Sequence, residues 1–167
     1  MKNLILCGFM GSGKTTLGLE LAKKLNMPLI DTDAEIVKRQ GVEISEIFAT
    51  RGEAYFRSLE TELIKELSEK EGLIISLGGG LAAQSQNHPY LKQAGTLLLL
   101  DPGCDETLRR ITGDKTRPLA AGGEADIIAR YNARKPIYES VADIVIDSSC
   151  SAERTLELAL TALEEMI

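Results

Sequence analysis

Short apolar runs alternate along this chain with longer stretches in which apolar residues recur every three to four positions. That alternation predicts strands separated by amphipathic helices, the rhythm of a mostly parallel sheet with helices on both faces. The strands are expected at 3–7, 28–30, 73–77, 96–100 and 143–146. In the segment 14–25, Leu17, Leu21, Ala22 and Leu25 fall on one helical stripe, and in 53–70 Phe56, Leu59, Leu63 and Leu67 fall on another. The segment 151–167 offers Ser151 as an N-cap, Glu153 in the first turn and an apolar face of Leu156, Leu160 and Leu163. The expected architecture is therefore α/β, a three-layer sandwich of helices around a parallel sheet.

Composition narrows the picture. At 167 residues, 44% hydrophobic and 26% charged, the chain fits one compact domain over 1–167, and disulfide or metal staples are not required. No internal repeat or long linker interrupts it. Nineteen basic against twenty-five acidic residues give a net charge of −6, which argues against nucleic acid or an anionic membrane as the main partner. No apolar run approaches the ~18 residues of a membrane span, so a soluble, untargeted, cytoplasmic protein is expected, and a monomer because the apolar stripes are used in the core. Cys7, Cys104 and Cys150 show no metal-ligand or disulfide spacing, and Cys7 reads as a small buried hydrophobe. His88, beside Pro89, is expected in a surface loop. The stretch 112–124, TGDKTRPLAAGGE, lacks apolar periodicity and reads either as a solvated connection or as a lid.

Candidate chemistry begins after the first strand. Gly8-Phe-Met-Gly-Ser-Gly-Lys-Thr15 fits G-x-x-x-x-G-K-[ST] between a strand and a helix, the context of a P-loop. Its glycines let successive N–H groups converge on an anion at the helix N-terminus, with Lys14 reaching the β- and γ-phosphates and the Thr15 hydroxyl available to Mg²⁺. Ligands of an open parallel sheet sit beyond the carboxyl ends of the strands. There the second strand delivers Asp31 and Asp33, suited to water-mediated Mg²⁺ binding and to a substrate hydroxyl, although Asp33 could instead cap a helix over 34–39. The third strand ends in Gly78, Gly79 and Gly80, which expose backbone to the close approach of a flat ligand where a plain turn needs fewer glycines.

On the 53–70 helix, Glu53, Arg57 and Glu60 share a face, either as a solvated ion-pair row or as an Arg57 site for a carboxylate. Downstream, Arg109, Arg110, Lys115, Arg117, Arg130, Arg134 and Lys135 crowd into 109–135 of a chain that is acidic overall. The local excess predicts that anions gather there, the alternative for Arg130 being an ordinary surface position.

The chain resembles the shikimate kinases, small P-loop transferases of the nucleoside-monophosphate-kinase group. The resemblance is carried by GFMGSGKTT at 8–16, DTD at 31–33, YFR-x-x-E at 55–60, GGG at 78–80, TRPL at 116–119 and R-x-P-x-Y at 134–138, in the family's order. It implies a P-loop NTPase fold with five parallel strands in the order 2-3-1-4-5, and ATP-dependent phosphorylation of the shikimate 3-hydroxyl on the way to chorismate and the aromatic amino acids. It further implies acceptor binding by Asp33, Arg57, Gly78, Gly79, Gly80 and Arg134 within a region of about 31–60 and beyond, with Glu60 orienting Arg57. ATP would lie on Gly11, Ser12, Gly13, Lys14, Thr15 and Thr16, bordered by Arg110 at the adenine. Mg²⁺ would be served by Thr15 and Asp31, and Arg117 would close from the lid, so that Lys14, Asp33 and Arg117 form the catalytic set. Alternatives are a kinase for another small polyol acid such as gluconate, a nucleoside-monophosphate kinase, and a non-catalytic nucleotide-binding switch.

Overall fold

The computed structural model describes residues 2–113 and 122–166. Five parallel strands, β1 (Asn3–Cys7), β2 (Leu29–Asp31), β3 (Ile74–Ser76), β4 (Gly95–Asp101) and β5 (Ile144–Asp147), form one sheet in the order β2-β3-β1-β4-β5. The helices are α1 (Lys14–Leu25), α2 (Thr32–Gln40), α3 (Ile44–Arg51), α4 (Glu53–Leu67), α5 (His88–Ala94), α6 (Cys104–Gly113), α7 (Gly123–Val141) and α8 (Ala152–Glu164). The expected fold class and strand order are those observed. Among the described residues, no helix is long and apolar enough to cross a membrane.

Because β side chains alternate between faces, β1 feeds two cores. Ile5 and Cys7 join Ile75, Leu97 and the α4 stripe of Phe56, Leu63, Ile64 and Leu67. Leu4 and Leu6 join Ile74, Leu98, Leu17 and Leu21 of α1, and Ala159 of α8. Burial raises the Cys7 thiol to about 12, against the pull of Lys14, so the buried-hydrophobe reading of this residue holds.

Several boundaries move for local reasons. The second strand runs to Asp31, which pairs with Ser76, and α2 starts at Thr32 rather than 34. Asp31, not Asp33, caps that helix by accepting the Ala34 N–H at 2.9 Å, so Asp33 sits inside the first turn. Ser68 ends α4 three residues early, its hydroxyl turning back to Lys65 O at 2.7 Å. Ser151 caps α8 as expected, accepting from Arg154 N at 3.2 Å. Helices α3 and α5 are not expected from the periodicity. His88, rather than lying in a surface loop, opens α5 half-buried, with Nε2 at 2.8 Å from Ala82 O.

One polar residue locks the base of the sheet. Asn3, fully buried, directs Nδ2 at the carbonyls of Lys70, Ala94 and Leu67 and accepts Leu73 N–H at 2.9 Å, joining the ends of α4 and α5 to the starts of β1 and β3. Asn3→Ala strands these groups without water, at about 1–3 kcal/mol for each buried group left unpaired. We expect the urea midpoint to fall by the equivalent of about 3 kcal/mol, and an unchanged midpoint would show that water replaces the amide.

Candidate active site

The carboxyl ends of β1, β2 and β3 open onto one cleft of about 760 Å³. At one end, the loop between β1 and α1 curls around Lys14. The Lys14 Nζ donates to Gly8 O at 2.6 Å and Phe9 O at 3.1 Å and lies 3.4 Å from Ser12 Oγ. Gly13 stands at the N-cap of α1 with φ 100°, a left-handed conformation that favours glycine, and no side chain caps the first turn. The first-turn amides and the ammonium therefore present positive charge to the cleft, the requirement for holding phosphate.

At the other end, side chains from α2, α4 and α7 converge on the glycine triplet. Arg57 on α4 donates from Nη1 to Glu60 Oε2 at 2.8 Å and, more weakly, from Nη2 to Glu53 Oε1 at 3.3 Å. Glu60 is 1% exposed, so the Glu60–Arg57 pair is a buried one and not the solvated row that the sequence equally allowed. Burial raises the Glu60 carboxyl while Arg57 pulls it back. Arg134 on α7 donates to Gly79 O at 3.3 Å and lies over the Phe9 ring at 5.7 Å. The Tyr138 hydroxyl also donates to Gly79 O, and burial raises its pKa to about 12. Thr32 Oγ1, fully buried, accepts Gly78 N–H at 2.8 Å.

The glycines serve these side chains. A Cβ on Gly78 would stand 2.3 Å from Asp33 Oδ1, and one on Gly80 would stand 2.2 Å from Arg57 Nη1. The triplet thus makes room for the acid and the guanidinium, a reason for glycine beyond the exposed backbone that the sequence suggests. Because the clash falls on the free ends of side chains, Gly80→Ala should leave the fold intact and push Arg57 aside. We expect a tenfold or greater rise in acceptor KM with a thermal midpoint within a few degrees of wild type, read by steady-state kinetics and calorimetry.

Asp33 faces the middle of the cleft. Burial raises its carboxyl above the ordinary range, Asp31 adds to the rise, and Lys14 and Arg57 oppose it. Lining the same cleft are Gly11, Ser12, Gly13, Lys14, Thr15, Thr16, Asp31, Asp33, Arg57, Glu60, Gly78, Gly79, Gly80, Arg110 and Arg134, together with Arg130. Arg117 and Lys115 lie outside the described residues. The basic excess over 109–135 divides. Arg110, Arg130 and Arg134 line the cleft, whereas Arg109 is exposed and pairs with Glu106 at 2.6 Å, and Lys135 bonds Asp101 at 3.0 Å.

Two groups at this end of the sheet escape sequence reading. Asp101, at the end of β4, accepts from Tyr131 OH at 2.5 Å as well as from Lys135, and so anchors α7 on both sides of Arg134. Burial would raise the Asp101 carboxyl, but Tyr131, the Gly103 N–H and Lys135 hold it below the ordinary range. Ser148, buried in the β5–α8 connection, donates from Oγ to Ser12 O at 2.8 Å. A lone Asp or Ser after an apolar run carries no signal of these partners.

The Thr15 hydroxyl and the Asp31 carboxylate both line the cleft, and oxygen donors of this kind suit a hard cation such as Mg²⁺. Among the described residues, no group of three or more His, Cys, Asp or Glu is placed to hold a metal ion.

The sequence model described as "SKI: Shikimate kinase" matches residues 10–165. A shikimate kinase of Caldicellulosiruptor bescii is 38% identical over 166 residues, covering 96% of each chain. The crystal structure of shikimate kinase from Aquifex aeolicus superposes with a TM-score of 0.87 at 40% identity, covering 97% of this chain and 96% of that one. Shikimate kinase from Acinetobacter baumannii in complex with shikimate does so with 0.88 at 34% identity, covering 99% and 93%. With a family match over nearly its whole length and a cleft that offers a phosphate loop at one end and paired guanidiniums at the other, this chain belongs to the shikimate kinase family.

Proposed function

We propose that the two ends of the cleft divide the reaction between them, phosphate at the loop and acceptor at the glycine triplet. The reaction is the transfer of the γ-phosphoryl group of ATP to the 3-hydroxyl of shikimate, giving shikimate 3-phosphate and ADP. The observation that carries the assignment of ends is the placement of Asp33, Arg57 and Arg134 on Gly78, Gly79 and Gly80, across one cleft from Lys14.

Arg57 and Arg134 receive the shikimate carboxylate, a planar anion that matches guanidinium forks. Glu60, buried against Arg57, fixes the direction of its fork. Asp33 accepts a hydrogen bond from the 3-hydroxyl. As the bond from that oxygen to the γ-phosphorus forms and the bond from phosphorus to the β,γ-bridging oxygen breaks, the hydroxyl proton passes to the Asp33 carboxylate. A loose transition state requires little deprotonation beforehand, so aiming the hydroxyl is the larger part of the Asp33 role. Lys14 and the loop amides of Gly11, Gly13, Thr15 and Thr16 hold the phosphate oxygens and stabilise charge on the leaving ADP. Thr15 and Asp31 would hold Mg²⁺, which would supply further neutralisation of those oxygens. Arg117 is assigned to the charge on the transferring phosphoryl group, a role supported by the TRPL motif alone.

We assign the chain one kinase domain that works as a monomer. Supporting this, the exposed large apolar side chains among the described residues, Leu19, Phe48, Val145 and Met166, lie scattered over different elements. The acidic net charge supports a small-molecule acceptor over nucleic acid or a membrane surface, and the free thiols Cys7, Cys104 and Cys150 support a reducing cytoplasm.

Two measurements test the assignment. Asp33 acts as its anion, so activity is lost as pH falls through its pKa, and because that pKa is raised from 3.8, the acid limb of kcat/KM should lie above the ordinary aspartate range. Asp33→Asn should abolish that limb together with most of kcat, and an unchanged limb in the variant would assign the titration to another group. A coupled assay of ADP release should show turnover with shikimate and only background with gluconate or nucleoside monophosphates. Comparable rates with either of these would overturn the acceptor reading, and ATP binding without turnover on shikimate would favour the nucleotide switch.

A further inference from the structure

Two side chains that sequence motifs do not connect, Arg110 and Ser148, reach the phosphate loop, and a third, Glu106, holds the first of them. Arg110, in the last turn of α6, donates from Nε to Glu106 Oε1 at 2.9 Å, from Nη1 to Gly11 O at 3.1 Å and from Nη2 to Ser148 O at 2.6 Å. Ser148, 2% exposed, sends its hydroxyl to Ser12 O at 2.8 Å, and its own N–H is held by Asp101 O at 3.3 Å. Consecutive carbonyls of the loop, those of Gly11 and Ser12, are therefore tied to α6 and to the β5–α8 connection.

A trans peptide is planar, with its N–H opposite its carbonyl, so tying one fixes the direction of the other. The bond at Gly11 O sets the Ser12 N–H, which donates to Phe9 O at 3.2 Å and closes the turn of the loop. The bond at Ser12 O sets the Gly13 N–H, at the residue whose left-handed conformation starts α1. Without these ties a carbonyl could swing into the anion site, replacing a partial positive charge with a partial negative one where phosphate must sit.

We propose that Glu106, Arg110 and Ser148 form a brace that holds the phosphate loop in its anion-binding orientation, with Ser148 and Glu106 as positioning residues for ATP phosphate. Glu106 acts through Arg110, keeping the guanidinium extended toward the carbonyls of Gly11 and Ser148. Ser148 acts through Ser12 and needs no contact with the nucleotide. The brace gives Arg110 a structural duty toward the loop in addition to the place beside adenine that the family resemblance implies. It rests on phosphate binding by the loop, and the test separates the two.

The experiment compares ADP, which carries the phosphates, with adenosine, which lacks them, as competitors of ATP. For wild type, competition by ADP is the control on the loop itself, and its absence would remove the phosphate-loop reading together with the brace. Ser148→Ala should weaken ADP about tenfold, leave adenosine and the shikimate KM within twofold, and raise the ATP KM. Ser148→Thr, which keeps the hydroxyl, should restore ADP affinity to within threefold of wild type. Glu106→Gln, a near-isosteric change at a half-buried position of α6, should shift ADP in the same direction by a smaller factor, and it carries the test should Ser148→Ala fail to fold. Normal ADP competition by both Ser148→Ala and Glu106→Gln would overturn the brace. So would equal losses for ADP and adenosine, which would place these residues at the base instead.

Discussion

Lys14→Met should lower kcat by about three orders of magnitude while leaving the shikimate KM and the folded state close to wild type. The size follows from removing a positioned cation whose contribution grows as charge develops in the transition state, a loss of about 10²–10³ or more for a single donor in a water-poor site. Methionine keeps the length and the apolar stem, so packing around the loop survives. The Lys14 ammonium does bond the carbonyls of Gly8 and Phe9, and its loss removes charge from that turn, so a modest fall in thermal midpoint accompanies the kinetic defect. Single-turnover measurements at saturating ATP distinguish a slow chemical step from weak nucleotide binding. A variant with near-normal kcat and only a raised ATP KM would assign Lys14 to ground-state binding.

The second large effect falls on the acceptor. Arg134→Ala should raise the shikimate KM by about 30- to 1,000-fold, the equivalent of ~2–4 kcal/mol for truncating one partner of a desolvated charge pair. It should alter the ATP KM little, because Arg134 bonds Gly79 of the glycine triplet and faces the phosphate loop through the buried ring of Phe9. Arg57→Ala should act in the same direction but with a stability cost, since it leaves the buried Glu60 carboxylate without the guanidinium that pulls its pKa down. Arg57→Lys retains charge and loses the fork, and it should recover stability more fully than affinity. If both alanine variants bind shikimate normally, the carboxylate clamp is wrong.

Legibility in the sequence tracked distance along the chain. The phosphate loop is a local object, eight residues whose spacing encodes its own geometry, and its placement between β1 and α1 follows. Strand order emerged from the family resemblance and is borne out by the pairing of β1 with both β3 and β4. Asp33 was open to a capping role because aspartate suits N-caps, yet the cap is Asp31, where the extended β2 backbone ends. The need for glycine at 78 and 80 was visible, but its cause was not, because the atoms that exclude a Cβ belong to Asp33 and Arg57 on other elements. Ser148 was invisible for the same reason, its partner Ser12 lying 136 residues away. The short helices α3 and α5 bury too few residues to impose a periodic signal, Ile47 being the buried side chain of the one and Leu91 and Ala94 those of the other.

The most direct test of the division of the cleft is a crystal structure of the protein with shikimate, ADP and Mg²⁺. The account predicts the shikimate carboxylate within hydrogen-bond reach of Arg57 and Arg134, its 3-hydroxyl against Asp33, and the β-phosphate of ADP on the amides around Lys14. A carboxylate bound elsewhere, with both guanidiniums still on Glu60 and Gly79 alone, would contradict it.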